Sequence, residues 1–361
     1  MHRSRAAAAL ACIAAGCVQP SIPEAAGPAG EAGVVLASYT VAPSQGESRF
    51  AAIRQLTAGG QNAEAYFSRD GQWITFQSAQ LEYPCDQQYV MRVDGSGLRR
   101  VSDGRGKTTC GWFFPDARRL FFASTTAHQD RCPPKPDPSA GYVWPLDPYD
   151  IYAVDRDGTN TTRLTHYDVY TAEGVLSPDG KRIVFTSLES GDLEIYTMNV
   201  DGTDVRRLTH TPGYDGGPWW SPDGKKIVYR ANHPADPAEL ARYRSLLAQN
   251  LVRPSRVELF IMNADGSDQR QITRLGGANF GPSWTPDGSR IIFSSNYRDP
   301  RSGNFDLYMI DETGAGLEQI TTDPGFDGFP MFSPDGRKLI WASSRGATRS
   351  GESNVFIADW R

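Results

Sequence analysis

The sequence repeats one short phrase six times, and this repetition limits the chain to a repeat architecture. The clearest copy reads Ser-Pro-Asp-Gly at residues 221–224, followed by an apolar run at residues 226–231. Pro222 fixes φ at the first central position of a tight turn, and Gly224 completes it. A turn followed by alternating apolar residues is typical of a β-hairpin. The other copies, some of them degenerate, begin at Ser68, Phe114, Ser177, Thr285 and Ser333.

The spacing of the turn aspartates predicts the number and kind of repeats. Successive turn aspartates lie 46, 63, 44, 64 and 48 residues apart. A period near 45 residues is typical of four-stranded propeller blades. Each unit has one strand before the turn, one after it, a third that ends at an Asp-Gly turn, and a fourth. We therefore predict an all-β, six-bladed β-propeller of four-stranded antiparallel blades over residues 49–361.

The order of the strand patterns predicts how the ring closes. The fourth-strand pattern Arg-x-Leu-Thr first occurs at residues 54–57, before any Ser-Pro-Asp-Gly turn. The chain stops after a third strand at residues 354–360. We expect the N-terminal strand to join the last blade, because radial closure removes the open strand edges that promote aggregation.

These motifs resemble the repeat of the TolB-like propellers, which runs Ser-Pro-Asp-Gly-Lys, an apolar strand, Tyr-x-Met-x-x-Asp-Gly and Arg-x-Leu-Thr. The likeness covers residues 50–361 and is specific for architecture. It implies a propeller of the WD40-like type. Since about thirty residues separate the start of the mature chain from the first blade strand, we expect a TolB-like propeller lipoprotein without the N-terminal α/β domain of TolB.

The N-terminus predicts export. Residues 1–5 are positively charged, residues 6–15 are apolar, and Cys17 follows small residues, as in a lipoprotein signal peptide. We expect removal of residues 1–16, lipidation of Cys17 and a flexible tether over residues 17–48. Ordinary secretory cleavage and acylation of Cys12 are the alternatives. The protein is then expected in the periplasm, attached to the outer membrane through its lipid alone.

Two insertions account for the long steps of the repeat, and both fall on the face of the disc that carries the blade connections. The first, at residues 127–149, is rich in proline and aromatic residues and predicts an extended loop. The second, at residues 233–256, contains Asp-Pro-Ala-Glu at 236–239, which is typical of a capped helix start. We predict a short amphipathic helix there, which either covers apolar surface or acts as a lid or docking element.

Three cysteines follow Cys17 in the chain: Cys85, Cys110 and Cys132. In an oxidising periplasm two of them are expected to pair, and the spacing leaves the choice of pair open. We interpret the pair as structural; a redox or metal role is the alternative.

Aligning the inner strands of the blades predicts which side chains meet at the mouth of the central channel. The candidates are acidic, amide and aromatic, and the first insertion adds a tryptophan. They are Glu64, Glu173, Asp215, Asn279, Asp327, Tyr170, Tyr214, Phe326 and Trp144. Such a set suits a protein or peptide partner, with a sugar or a cation as further candidate ligands. Channel polarity without any ligand is the alternative.

Charge and motifs narrow the class of function. The 37 basic residues are outnumbered by 42 acidic ones, so no basic stripe is available for nucleic acid. The Gly-x-Ser-x-Gly elbow of an α/β-hydrolase is missing. We therefore predict a non-enzymatic binding and scaffolding protein of the cell envelope, without catalytic residues or a cofactor, which presents its loop-rich face and channel mouth to a protein or peptide partner.

Histidines on the connection face keep an enzyme as the alternative function. They are His128, His166, His210 and His233. Together with nearby carboxylates they could bind a transition metal, but loop capping is the better account of them. The alternative is a carbohydrate-active or metal-dependent enzyme, similar to the polysaccharide lyases among related propellers.

Overall fold

The computed structural model describes residues 35–80, 83–137, 139 and 141–361. Cys17, the predicted signal peptide and the first half of the predicted tether lie outside these residues. Within them, strands pair as six antiparallel blades, which confirms the predicted propeller.

The strands follow the chain in blade order. The N-terminal strands are β1 (Val35–Val41) and β2 (Phe50–Ala58). The first blade contains β3 (Gln61–Phe67), β4 (Trp73–Gln80), β5 (Tyr83–Arg92) and β6 (Arg99–Arg100). The second contains β7 (Thr108–Phe113), β8 (Arg119–Ser124), β10 (Asp150–Asp155) and β11 (Thr162–Arg163), with β9 (Trp144–Pro145) in its insertion. The third contains β12 (Thr171–Leu176), β13 (Arg182–Ser187), β14 (Glu194–Asn199) and β15 (Arg206–Arg207).

The second half of the ring has the same plan. The fourth blade contains β16 (Tyr214–Trp220), β17 (Lys226–Asn232), β19 (Glu258–Asn263) and β20 (Arg270–Gln271), with α1 (Pro237–Leu247) and β18 (Leu251–Val252) in its insertion. The fifth contains β21 (Asn279–Trp284), β22 (Ile291–Ser295), β23 (Asp306–Ile310) and β24 (Glu318–Gln319). The sixth contains β25 (Asp327–Phe332), β26 (Lys338–Ser343) and β27 (Asn354–Trp360).

No helix in this described part of the chain is long and apolar enough to cross a membrane.

The N-terminal strand closes the ring, as predicted. β2 pairs with β27, and β1 adds a fifth strand at the outer edge of the sixth blade. Residues 35–41 therefore form a strand, although the sequence placed them in the flexible tether. Their run Val-Leu-Ala-Ser-Tyr-Thr-Val is rich in β-branched residues, which favour a strand. The following turn is also fixed, because Glu47 is buried and pairs with Arg345 at 2.9 Å.

The repeated turn is held by its own side chains. In the fourth blade, Ser221 Oγ donates a hydrogen bond to Asp223 Oδ1 at 2.7 Å, and Gly224 N donates to the Ser221 carbonyl at 2.9 Å. Gly224 has φ of 72°, which glycine adopts without steric cost. Equivalent hydroxyl-to-carboxylate bonds start from Ser68, Ser177, Thr285 and Ser333. The phrase thus specifies the hairpin between the first two strands of a blade, on the side of the disc opposite the insertions.

The apolar core lies between neighbouring blades. Phe121 and Ile151 of the second blade, for example, pack in one cluster with Ile183 and Phe185 of the third. Each of these four side chains is at most 1% exposed. A blade therefore buries its apolar faces only in the presence of its neighbours, as expected for stacked repeats.

A disulfide joins Cys85 of the first blade to Cys132 of the first insertion, 47 residues further along the chain. Cys110 is a free, buried cysteine. The three cysteines offered three possible pairs, and the structure pairs the two that lie outside the inner strands.

Asp306 supplies a pH-dependent contribution to stability. Its Oδ2 accepts a hydrogen bond from Gln319 at 2.9 Å, whereas its buried Oδ1 has no partner among the described residues. Burial, together with the charge of Asp327, raises the pKa of Asp306 to about 6. The folded state thus favours the protonated acid, so this contribution to the free energy of unfolding is present below pH 4 and is lost as the pH rises to about 6.

Asp306→Asn should therefore remove part of the decline in stability between pH 4 and 7 and stabilise the protein at pH 7 by about 1–2 kcal/mol. Urea unfolding at both pH values measures this, with exposed Asp299→Asn as the control. A variant that loses stability equally at both pH values would show that the carboxylate is needed in its ionised form.

Candidate functional site

Every inner strand has a β-bulge at the same position, and the residue at the bulge faces the central channel. The sheet register shifts there in all six blades. The bulge residues have φ between 51° and 61° and are Glu64, Cys110, Glu173, Gly217, Gly281 and Phe329. A bulge redirects a side chain, and positive φ in a non-glycine residue is a strain typical of functional sites.

These six residues line one cavity of about 360 Å³, which we name the upper chamber. Aromatic side chains form much of the remaining wall: Tyr66, Tyr142, Trp144, Tyr149, Tyr170, Tyr214, Trp219, Phe280 and Phe326. The polar groups are few, among them Lys107 and Arg230. An apolar wall with a few convergent polar groups is characteristic of ligand pockets.

Three aromatic rings form the floor of the upper chamber. The ring centroids of Trp112 and Trp219 lie 4.7 Å apart, and Tyr66 lies 5.4 Å from Trp112 and 5.3 Å from Trp219. Below them is a second cavity of about 290 Å³, lined by the same two tryptophans. The floor therefore divides the central channel into two compartments.

The two insertions meet above the upper chamber and form a lid. β9 and β18 pair in antiparallel fashion, with Trp144 opposite Val252 and Pro145 opposite Leu251. Leu146 N donates a hydrogen bond to the Asn250 carbonyl at 2.8 Å. We define the lid as residues 142–146 and 251–252. Tyr142 is its most exposed member, with 66% of its surface accessible.

Helix α1 holds the second insertion against the propeller. It begins after Asp236, whose side chain caps the helix by accepting a hydrogen bond from Ala238 N at 2.9 Å. Tyr243 is buried, and its hydroxyl lies 2.5 Å from Asp192 Oδ1 and 2.9 Å from the Gly213 carbonyl oxygen. The predicted helix is therefore confirmed, and it supports the lid from one side.

Arg230 and Glu173 form a buried ion pair in the wall of the chamber. Their side chains are 6% and 14% exposed, and Arg230 Nη2 donates to Glu173 Oε1. Arg230 Nε also donates to the Tyr214 hydroxyl at 2.7 Å. The other carboxylate oxygen of Glu173 accepts from Thr186 Oγ1 at 2.7 Å and from Gly217 N at 2.8 Å. Both charges are thus compensated and hydrogen-bonded, as buried charges require.

Glu64 faces the same chamber with weaker partners. The Tyr66 hydroxyl lies 3.4 Å from Glu64 Oε2, and the Cys110 thiol is a second neighbour. Burial raises the pKa of Glu64 to about 7, and the charge of Glu173 acts in the same direction. Burial also raises the pKa of Cys110 well above its usual value, so the thiol stays protonated and is a poor nucleophile.

The structure separates the predicted site residues into two groups. Glu64, Glu173, Tyr170, Tyr214, Phe326 and Trp144 line the upper chamber. Asp215, Asn279 and Asp327 are at most 1% exposed and bind within the sheets instead. Asp215 lies 2.9 Å from His233, Asn279 donates to the Val257 carbonyl at 2.9 Å, and Asp327 accepts from Trp341 Nε1 at 2.9 Å.

The four candidate histidines do not come together. His128 lies 2.7 Å from Asp150, and His233 lies beside Asp215. His166 and His210 are exposed. Within residues 35–80, 83–137, 139 and 141–361, no group of three or more His, Cys, Asp or Glu side chains is placed to hold a metal ion.

Arg230 is the main site residue that the sequence predictions missed. Counted from the turn, the equivalent second-strand positions hold small or uncharged residues: Gln77, Ala123, Thr186, Ser294 and Ala342. The bulge residue of the same blade is Gly217, where an added Cβ would lie 2.1 Å from Arg230 Nη1. The signal available in the sequence was an arginine at a second-strand position that is uncharged in the other five blades, together with a glycine at the bulge of the same blade.

Comparisons with known proteins agree on the fold. The family model of the tricorn protease N-terminal β-propeller domain matches residues 147–257. A structure assigned as TolB from Agrobacterium tumefaciens is 19% identical, with a TM-score of 0.59 over 85% of this chain and 94% of that one. TolB from Acinetobacter baumannii is 16% identical, with a TM-score of 0.56 over 81% of this chain and 64% of that one. No curated protein matches the chain.

Enzymes share this fold as well. The structure of an oligogalacturonate lyase in complex with manganese is 15% identical, with a TM-score of 0.54 over 91% of this chain and 97% of that one. At such low identities the likeness concerns the fold alone, since one fold supports many functions. The chain is a six-bladed β-propeller, and its fold is similar to that of the two TolB structures.

Proposed function

We propose that this protein is an exported binding and scaffolding protein of the cell envelope, which presents its lid and upper chamber to a protein or peptide partner. The observation that supports this most is the convergence of the two insertions. They come from different blades and have unrelated sequences, yet they pair with each other above one aromatic chamber. Loops positioned by a rigid scaffold are the usual carriers of binding function.

The chemistry of the chamber favours binding over catalysis. Glu173 is fully engaged by Arg230, Thr186 and Gly217, and the Cys110 thiol stays protonated. The wall contains many aromatic residues and Arg230, and these residue types are enriched at the energetic centres of protein interfaces. A partner side chain could enter beneath the lid and be surrounded by these aromatic residues and by Arg230.

The location of the protein is part of the proposal. The charged, apolar and small residues at positions 1–17 support export and lipidation of Cys17. The lipid would attach the propeller to the outer membrane and leave its connection face in the periplasm.

Tyr142→Ser should reduce partner recovery about tenfold, because it removes the most exposed aromatic residue of the lid. The measurement is quantitative affinity capture from solubilised native envelopes, with wild type and variant compared. Leu317→Ser is the matched control, since Leu317 is a partly exposed apolar residue, 38% accessible, on the opposite, hairpin side.

A second variant changes more of the lid, in case the loss of Tyr142 alone has only a small effect on partner recovery. In it, residues 142–146 are replaced by a glycine and serine linker, which removes the pairing with β18. Partner recovery equal to wild type for both variants would disprove the assignment of the connection face.

An enzyme is the second candidate, and one observation favours it. Two carboxyl groups, Glu64 and Glu173, share the chamber in different environments, an arrangement that enzymes use to divide acid and base roles. The lyase of similar fold makes anionic oligosaccharides the first substrates to test. Turnover that disappears in Glu64→Gln would replace the binding proposal.

A further inference from the structure

The upper chamber has one acidic group whose charge is not matched. Arg230 neutralises Glu173 through the buried ion pair. Lys107, the other cation of the wall, lies close enough to Asp86 and Asp147 for its charge to stabilise both carboxylates. Glu64 has no ion pair among the described residues, and its neighbours Tyr66 and Cys110 are uncharged at neutral pH. The charge of Arg230 favours its ionised form, but the charges of Glu173 and Asp86 oppose it. An ionised Glu64 therefore leaves the chamber in need of a cation.

The walls of the chamber already hold one cation against aromatic rings. The guanidinium carbon of Arg230 lies 5.2 Å from the ring centroid of Trp144 and 5.5 Å from that of Tyr214. Further rings, those of Tyr149 and Tyr170, line the same cavity without a cation of their own among the described residues. Aromatic faces attract cations most strongly where water is excluded. A second cation bound near Glu64 would thus find a carboxylate and aromatic faces together.

The route into the chamber limits the shape of such a cation. The lid side chains that line the chamber, among them Trp144, Leu146 and Val252, are mainly apolar, and the Tyr142 hydroxyl accepts a hydrogen bond from Trp144 Nε1 at 3.0 Å. A ligand that carries its charge at the end of a narrow, flexible, apolar chain can pass them and place that charge deeper in the channel. The lysine side chain has this form: a four-carbon stem that packs on apolar surface and a compact ammonium group with three donors.

We propose that the upper chamber recognises a protonated primary amine, the lysine side chain of a peptide or protein partner, with Glu64 as its counter-ion. This inference rests on the proposed binding function and names the chemistry of the group that is bound. The ammonium group donates to the Glu64 carboxylate, its methylene stem contacts the lid, and the aromatic rings surround both. Arg230 keeps Glu173 occupied, so Glu64 alone carries the recognition.

Isothermal titration calorimetry with the full mature chain tests the proposal. The probe is Nα-acetyl-lysine N-methylamide, and its control is the norleucine analogue, which replaces the ammonium by a methyl group. At pH 8 we expect the lysine probe to bind at least about tenfold more tightly than the norleucine probe. Glu64→Gln should abolish that preference, whereas Glu189→Gln, a change on an exposed loop of the third blade, should leave it intact.

The pH profile separates recognition by Glu64 from a merely structural role. Because the pKa of Glu64 is about 7, affinity for the lysine probe should fall about tenfold between pH 8 and pH 6, as the carboxylate becomes protonated. Glu64→Gln should show no such fall. Its thermal unfolding midpoint, compared with that of wild type, establishes that the variant is folded.

Each proposal can fail without the other. Equal affinity for the lysine and norleucine probes, or a lysine preference that survives in Glu64→Gln, would overturn amine recognition. If partner recovery still depends on Tyr142 in that case, the proposed binding function stands. A lysine preference that depends on Glu64, together with partner recovery that is indifferent to the lid, would instead identify a small amine as the ligand and overturn the protein partner.

Discussion

Arg230→Ala is expected to lower the free energy of unfolding by about 3–5 kcal/mol, the usual cost of removing one member of a buried ion pair. The loss arises because Glu173 would lose its cation in an aromatic cavity and keep only Thr186 Oγ1 and Gly217 N as partners. The Tyr214 hydroxyl would lose a hydrogen bond as well. Chemical unfolding monitored by tryptophan fluorescence measures the change.

The matched control for this variant is Arg256→Ala. Arg256 lies in the second insertion and pairs with Glu239 at 3.2 Å, but its side chain is 76% exposed. Such a surface pair contributes at most about 1 kcal/mol. The double variant Arg230→Met/Glu173→Gln should recover much of the stability, since it leaves no unpaired charge. A loss of less than about 1 kcal/mol in Arg230→Ala would contradict the pairing described here.

Arg345→Ala should have an effect of similar size, about 3–5 kcal/mol, at the closure of the ring. Arg345 lies between Glu47 and Asp327, at 2.9 Å and 3.3 Å, and the three side chains are at most 3% exposed. Its removal leaves two buried carboxylates without a cation. Because Glu47 lies between β1 and β2, the variant should also loosen the N-terminal segment from the sixth blade.

The loss of stability in Arg345→Ala should depend on pH. Burial already raises the pKa of Asp327, and Arg345 is the main group that opposes the shift. Without Arg345 the folded state favours the protonated form of Asp327 further, so the variant should be closest to wild type near pH 4 and lose stability as the pH rises. Unfolding at pH 4.5 and 7.5 measures this. Destabilisation of the same size at both values would point to lost packing against Trp341 and Phe356 instead.

Much of the fold was predictable because its determinants are local. Each Ser-Pro-Asp-Gly turn is stabilised by bonds among its own residues, such as Ser221 to Asp223, and so keeps one sequence pattern in every blade. Closure was predictable from strand order alone. The strand at residues 35–41 was not, since it depends on pairing with β2 and follows a segment whose composition favours a tether.

The residues of the upper chamber were predictable only in part, because each inner strand contains a β-bulge. Along a regular strand, residues two positions apart face the same side. On a regular strand, Asp215 and Asp327 would therefore face the channel together with Gly217 and Phe329, which stand two positions later. The bulge inserts one additional residue, so the residues before it and after it point in different directions relative to the channel. Asp215 and Asp327, which precede the bulge, are buried in their blades and do not face the chamber. Glu64 and Glu173 line the chamber because they occupy the bulge itself.

The aromatic floor of the upper chamber has a kinetic consequence. Tyr66, Trp112 and Trp219 lie between the two cavities of the channel, so we expect a bound group to leave on the lid side and not on the hairpin side. On that route it passes the two-residue pairing of Trp144 and Pro145 with the second insertion. The residence time of the bound group then depends on the strength of that short pairing. Changes in the lid should therefore alter the dissociation rate and leave the charge interactions of the bound group largely unchanged.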